Sequence, residues 1–183
     1  MDMMVRKKTL PTLVAVVQMC SRDNKELNLR TITKNVHRAA MRGAALICLP
    51  EACLYLGTES IENAEIIPPL SSSSSSSLPS SSSSSSANRL QELAISAGAW
   101  LSVGGVHVLA PDTEEPAKGR VFNRHLLISP VGRIAAQYDK VHLFDNNLTG
   151  LNESDTTIAG DKPGPIVDTG FARIGLTTCY DLR

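Results

Sequence analysis

Apolar positions in this chain come in short runs, joined by a stretch where they recur every three or four residues. Leu13 to Gln18 is β-branched and alternates little, the pattern of a strand buried on both faces. Leu29, Ile32, Val36, Ala39 and Ala40 then repeat at helical spacing. Asp23 and Glu26 stand at capping-box spacing, an acid at the N-cap and Glu at N3, and predict the start of that helix. Gly43 sits where a helix is commonly closed by a left-handed residue. Ala45 to Leu49 follows directly as a second buried strand. Strand, helix, strand in this order predicts a βαβ-like unit whose strand ends carry the chemistry.

The pattern then breaks. Ser71 to Ser86 is nearly pure serine, interrupted by Leu78 and Pro79. Serine buries nothing that offsets the entropy of ordering, so residues 71–86 read as a disordered surface insertion within a single domain spanning 1–183. A helix resumes near Asn88, with Leu90, Leu93 and Ala94 on one face, and stops at Gly98. Three strands are predicted next: Trp100 to Val108, Val121 to Ser129 and Arg133 to Tyr138. Pro130-Val131-Gly132 joins the last two as a hairpin. Asp145 to Pro165 is a long Gly/Pro/Asn-rich loop, a length that inside a compact domain is often functional. Arg173 to Thr178 reads as a buried strand ending abruptly at Cys179.

Composition narrows the classes of partner. The 183 residues carry 18 Lys and Arg against 18 Asp and Glu, and only 4% are aromatic. Balanced charge and few stacking rings argue against nucleic acid. No apolar stretch approaches the roughly 20 residues of a membrane span. The basic start, Met1 to Lys8, has no long apolar stretch behind it, so no secretory signal is read there. The expected compartment is reducing: the cytoplasm first, the mitochondrion second. Cys20, Cys48, Cys53 and Cys179 form no Cys-x-x-Cys pair and have no zinc-like His spacing, so no metal is expected. Cys20 and Cys48 read as small buried apolar side chains.

Three segments place reactive groups at strand ends: Leu49-Pro50-Glu51, Tyr138-Asp139-Lys140 and Cys179-Tyr180-Asp181. Singly each has a plain structural reading. A lone cysteine packs, a Glu after Leu-Pro starts a helix, and Asp139 with Lys140 makes a surface ion pair. Together and in this order they resemble the signature of the nitrilase, or carbon–nitrogen hydrolase, superfamily. Val14 to Gln18, Trp100 to His107 and Val121 to Arg124 resemble its strands as well. The Trp100–His107 segment and Glu153-Ser154 followed by Gly160 are most similar to its deaminated glutathione amidase branch, with the ω-amidase branch next.

The resemblance implies an α/β fold, an α-β-β-α sandwich of two stacked sheets between helix layers. It implies hydrolysis of a small linear carboxamide by water through a cysteinyl thioester, with no metal or organic cofactor. Cys179 would be the nucleophile and Glu51 the proton carrier, its pKa raised toward the working pH by a dry pocket. Lys140 would stabilise the oxyanion, with the Tyr180 backbone N–H as a second donor. Glu153 would hold Lys140. His142, two residues from Lys140, is a candidate for the pocket wall, and Asn123 a structural hydrogen-bonder. Self-association is expected from the family. Asn146-Asn147-Leu148-Thr149 departs from the acid and Pro-Gly usual in related amidases, which leaves the exact amide open. The family domain continues past the cysteine motif by roughly 90–100 residues, so the chain as written lacks the last third and is expected to have weak or no activity alone. Two rivals remain: an ω-amidase of α-keto acid ω-amides, and an inactive fragment or binding scaffold tethering partners through the serine tract.

Overall fold

The computed structural model describes residues 11–59, 61–67, 70, 85–110, 119–146 and 148–182. Seven elements build the body: β1 (Leu13–Val16), α1 (Lys25–Ala40), β2 (Ala44–Leu49), α2 (Ser86–Ala97), β3 (Trp100–Leu109), β4 (Val121–Ile128) and β5 (Ile134–Asp139). Short pieces follow: β6 (Asp145–Asn146), β7 (Leu151–Asn152), a 3-10 turn at Glu153–Asp155, β8 (Thr157–Ile158), β9 (Val167–Asp168), β10 (Arg173–Ile174) and a 3-10 turn at Cys179–Asp181.

The sheet runs β1-β2-β3-β4-β5, with β8 beside the start of β4. β1, β2 and β3 are mutually parallel, and β4 is antiparallel to both β3 and β5. β5 therefore points the same way as β2, and both end on the same side of the sheet. That direction brings residues 51 and 140 to one edge.

α1 and α2 pack on one face over Ile32, Val36, Ile47, Leu90, Ala94, Leu101 and Leu126. The alternate residues Leu46, Leu127, Ala136 and Tyr138 face the other way, where Leu176 and the β9–β10 ribbon pack on them. Two faces buried by different partners explain why β4 is buried almost throughout, Asn123, Arg124 and His125 included. Glu26 pairs with Arg89 at 2.6 Å and ties the helices together. Gln91 donates to the carbonyl of Gly132 at 2.8 Å, anchoring α2 to the β4–β5 hairpin. Among the described residues no helix is long and apolar enough to cross a membrane.

Several expectations need correction. The cap of α1 is Asn24, whose side chain accepts from the Leu27 N–H, while Glu26 serves the ion pairs instead. The helix closes at Met41, two residues before Gly43. β1 lies at the sheet edge and is not buried on both faces; Val16 is 82% exposed. Residues 71–84 of the serine tract lie outside the described residues. The tract's last two serines begin α2: Ser85, extended in backbone, caps it by accepting from Asn88 N, and Ser86 is its buried first residue. Gly98 ends α2 as expected, in the left-handed region at φ 60°. Arg173 to Thr178 is a strand for two residues only, because its partner β9 is that short; Gly175 to Thr178 then runs unpaired to the cysteine. Cys20 is exposed and Cys48 half-buried, while Cys53 is the buried thiol.

Candidate active site

Glu51 lies two residues past β2, in a turn whose next residue, Ala52, has a left-handed φ of 53°. Ala52 N donates to the Gly105 carbonyl at 2.8 Å, which fastens this turn to an irregularity in β3. Gly105 has φ 63°, and a Cβ there would meet the Asn123 Oδ1 atom and lie 3.0 Å from Glu51 Cγ. Only glycine fits both the conformation and the contact. Gly105→Ala is expected to cost about 2 kcal/mol of stability by denaturant titration and to displace Glu51; a fully stable, fully active variant contradicts this.

Lys140 follows β5 directly, and its backbone N–H is held by the Asn123 carbonyl at 2.9 Å. The residue is 1% exposed. Its ammonium donates to Glu153 Oε2 at 2.7 Å and Glu51 Oε1 at 3.2 Å. Asn123, buried on β4, donates its amide to the same two carboxylates, at 2.8 Å to Glu51 and 3.0 Å to Glu153. Glu153 also accepts from Phe144 N at 2.9 Å, so the loop after Lys140 folds back onto it. Two carboxylates, one ammonium and one amide thus form a closed cluster. Desolvation works against the ammonium, but the bond to Glu153 and the charges of both glutamates outweigh it and raise the Lys140 pKa.

Cys179 opens its 3-10 turn with φ 48°, a second non-glycine residue in the left-handed region. The Glu51 carboxylate, the Lys140 ammonium and the Tyr180 backbone N–H are the groups that bear on its thiol. Burial, then the Glu51 charge and hydrogen bond, push the thiol pKa up, against the pull of Lys140 and Tyr180 N–H. Glu51 moves the other way. Burial raises it, but the Asn123 amide, the Lys140 charge and the Cys179 thiol together hold it below its ordinary value. The expected raised glutamate is thereby corrected: the side chain is 33% exposed and surrounded by donors, so desolvation loses. At rest the proton sits on sulfur and the carboxylate is charged.

Tyr180 packs edge-on against Phe144, ring centroids 5.3 Å apart. His142 is exposed and turned onto Asp181, not onto the cluster. The structure therefore gathers Glu51, Lys140, Cys179 and Glu153, with the Tyr180 N–H, at one end of the sheet.

The carbon–nitrogen hydrolase family matches residues 13–183. The chain belongs to this family. It is 34% identical over 177 residues to deaminated glutathione amidase of Bos taurus, covering 93% of this chain and 49% of that protein. It is 34% identical over 179 residues to the deaminated glutathione amidase of Synechocystis, covering 94% of this chain and 59% of that one. Its structure matches the nitrilase and fragile histidine triad fusion protein of Caenorhabditis elegans with TM-score 0.72 at 31% identity, over 92% of this chain and 38% of that chain. The chain thus spans about half the length of the curated relatives it matches. The fold is accordingly the nitrilase α/β architecture, of which the described residues build one large sheet and one helix layer.

Two features of the site were not legible in the motifs. Asn123 bridges both glutamates, where sequence gave only a structural hydrogen-bonder. His107 is half-buried near the same carboxylates; burial lowers its pKa, while the charges of Glu153 and Glu51 oppose that shift. A cleft of about 540 Å³ lies elsewhere, along Phe122, Arg124, Asp139 and residues 160–165. Its size does not make it the reaction centre, since Arg124 there is spent on Asp139 at 2.6 and 2.9 Å and none of Glu51, Lys140 and Cys179 lines it.

Proposed function

We propose that this chain carries the reaction centre of an amidase that hydrolyses a small linear carboxamide, deaminated glutathione first among them. The observation that carries the reading is the Glu51 carboxylate, 3.2 Å from the Lys140 ammonium and near enough to the Cys179 thiol that each shifts the other's pKa. The sulfur attacks the amide carbon as its proton passes to Glu51. The oxygen that becomes negative is met by the Lys140 ammonium and the Tyr180 N–H. Glu51 then gives its proton to the departing ammonia, leaving a thioester on Cys179. Water, deprotonated by Glu51, attacks the thioester, releases the acid and restores the thiol. Glu153 and Asn123 hold Lys140 and Glu51 in place throughout.

Specificity is tested by comparing kcat/KM on deaminated glutathione with that on α-keto acid ω-amides and on a nitrile. Measured on a protein that carries this chain within a full-length family domain, the first is expected to be the best; no turnover of any amide there refutes the reading. The pH profile is a second check. Because Glu51 is held below its ordinary 4.5, kcat/KM should keep its plateau down past that pH and fall only as Glu51 protonates. An acid limb centred near 6 contradicts this.

A further inference from the structure

Asp181, two residues after Cys179, has a side chain only 4% exposed. Its Oδ2 accepts from Tyr138 O–H at 2.7 Å and from Thr178 N–H at 2.9 Å. Its Oδ1 takes the His142 N–H and the His142 Nδ1, each at 3.0 Å. Tyr138 OH in turn accepts from Val141 N at 3.1 Å. One carboxylate therefore grips the residue before the thiol, His142 directly, and Val141 through the Tyr138 hydroxyl.

We propose that Asp181 is a positioning residue that pins the cysteine turn to the lysine turn, and so sets the Cys179 sulfur against Glu51 and Lys140. The proposal rests on the reading of Cys179 as nucleophile. The chemistry of the pin requires a carboxylate. The Tyr138 hydroxyl and the Thr178 and His142 backbone N–H groups all donate to it, so an amide at this position would turn one acceptor into a donor facing donors. The pin also explains the backbone of Cys179. A non-glycine residue at φ 48° persists only where its surroundings over-determine it. The reciprocal bonds between Thr178 and Asp181 close the turn from inside, and Tyr138 with His142 close it from outside. The charges that bear most on the thiol are those of Glu51 and Lys140, so Asp181 acts through geometry.

The test is a cycle read on the pH profile of Cys179 alkylation by a haloacetamide, resolved by peptide mass spectrometry with the exposed Cys20 as internal reference. In the wild type, Glu51→Gln removes the charge that raises the thiol and shifts the profile to lower pH. In an Asp181→Asn background, where sulfur no longer faces Glu51, the same substitution should produce no shift. Amide kcat should fall about a hundredfold with KM unchanged, the cost of misplacing a reacting atom. Tyr138→Phe, which removes one hydroxyl, should give a partial loss of both and carries the test if Asp181→Asn does not fold. A full-sized shift in both backgrounds with kcat unchanged overturns the pin. No shift in the wild type overturns the Glu51–Cys179 pairing itself, and the pin with it.

Discussion

Replacing Glu51 with Gln is expected to abolish amide turnover while leaving Cys179 open to alkylation. In the proposed reaction Glu51 accepts the thiol proton, donates it to ammonia and then activates water, so it serves every step. Its loss should lower kcat by about 10³-fold, within the usual range for general acid–base catalysis. Thiol chemistry follows a different rule. In the resting site Glu51 raises the Cys179 pKa by its charge and its hydrogen bond. A neutral Gln relieves that repulsion, so the thiolate fraction at neutral pH rises and the alkylation profile moves to lower pH. Hydrolysis assays and site-resolved labelling on the same sample separate the two. Loss of both, or of neither, contradicts the account.

Lys140→Met is expected to damage both stability and rate. The ammonium is buried and holds two carboxylates that also share Asn123. Without it, Glu51 and Glu153 face each other with no cation between them. Breaking a buried pair by removing one partner costs about 3 kcal/mol at the low end, and the partial exposure of both glutamates keeps the figure there. Loss of the oxyanion partner should lower kcat by about 10²–10³-fold. The Glu51 pKa, freed from the cation that lowers it, should rise, moving the acid limb of any residual activity upward. Lys140→Arg is not expected to restore the rate, because a planar fork cannot replace a point charge between two carboxylates. Urea denaturation and the pH–rate profile read these effects. Wild-type stability combined with an unmoved acid limb would remove Lys140 from the cluster.

Much of this was legible in the sequence because local rules and tertiary packing agree. β2, β3, β4 and β5 carry apolar residues on both faces and are bounded by turn residues, so their spans were found to within a residue. The positions of Glu51 and Lys140 followed from those strand ends. Three things were not legible. Exposure of β1 depends on what lies beside the sheet edge, which the β-branched run Leu13 to Gln18 does not encode. The extent of β10 depends on the length of its partner β9, which the apolar pattern of Arg173 to Thr178 does not encode. The Glu51 pKa depends on Asn123, Lys140 and Cys179 converging from distant segments, so burial alone pointed the wrong way. Asp181 lies inside the quoted cysteine motif. Its role emerges only when Tyr138 and His142 are seen to meet it.

The most direct measurement is a rapid quench of the protein with its amide substrate, followed by mass spectrometry of the peptide bearing Cys179. An acyl group equal to the substrate less ammonia is expected on that sulfur, accumulating when attack outpaces hydrolysis of the thioester. Amide hydrolysis that proceeds with no adduct on Cys179, or undiminished in Cys179→Ala, would contradict the account.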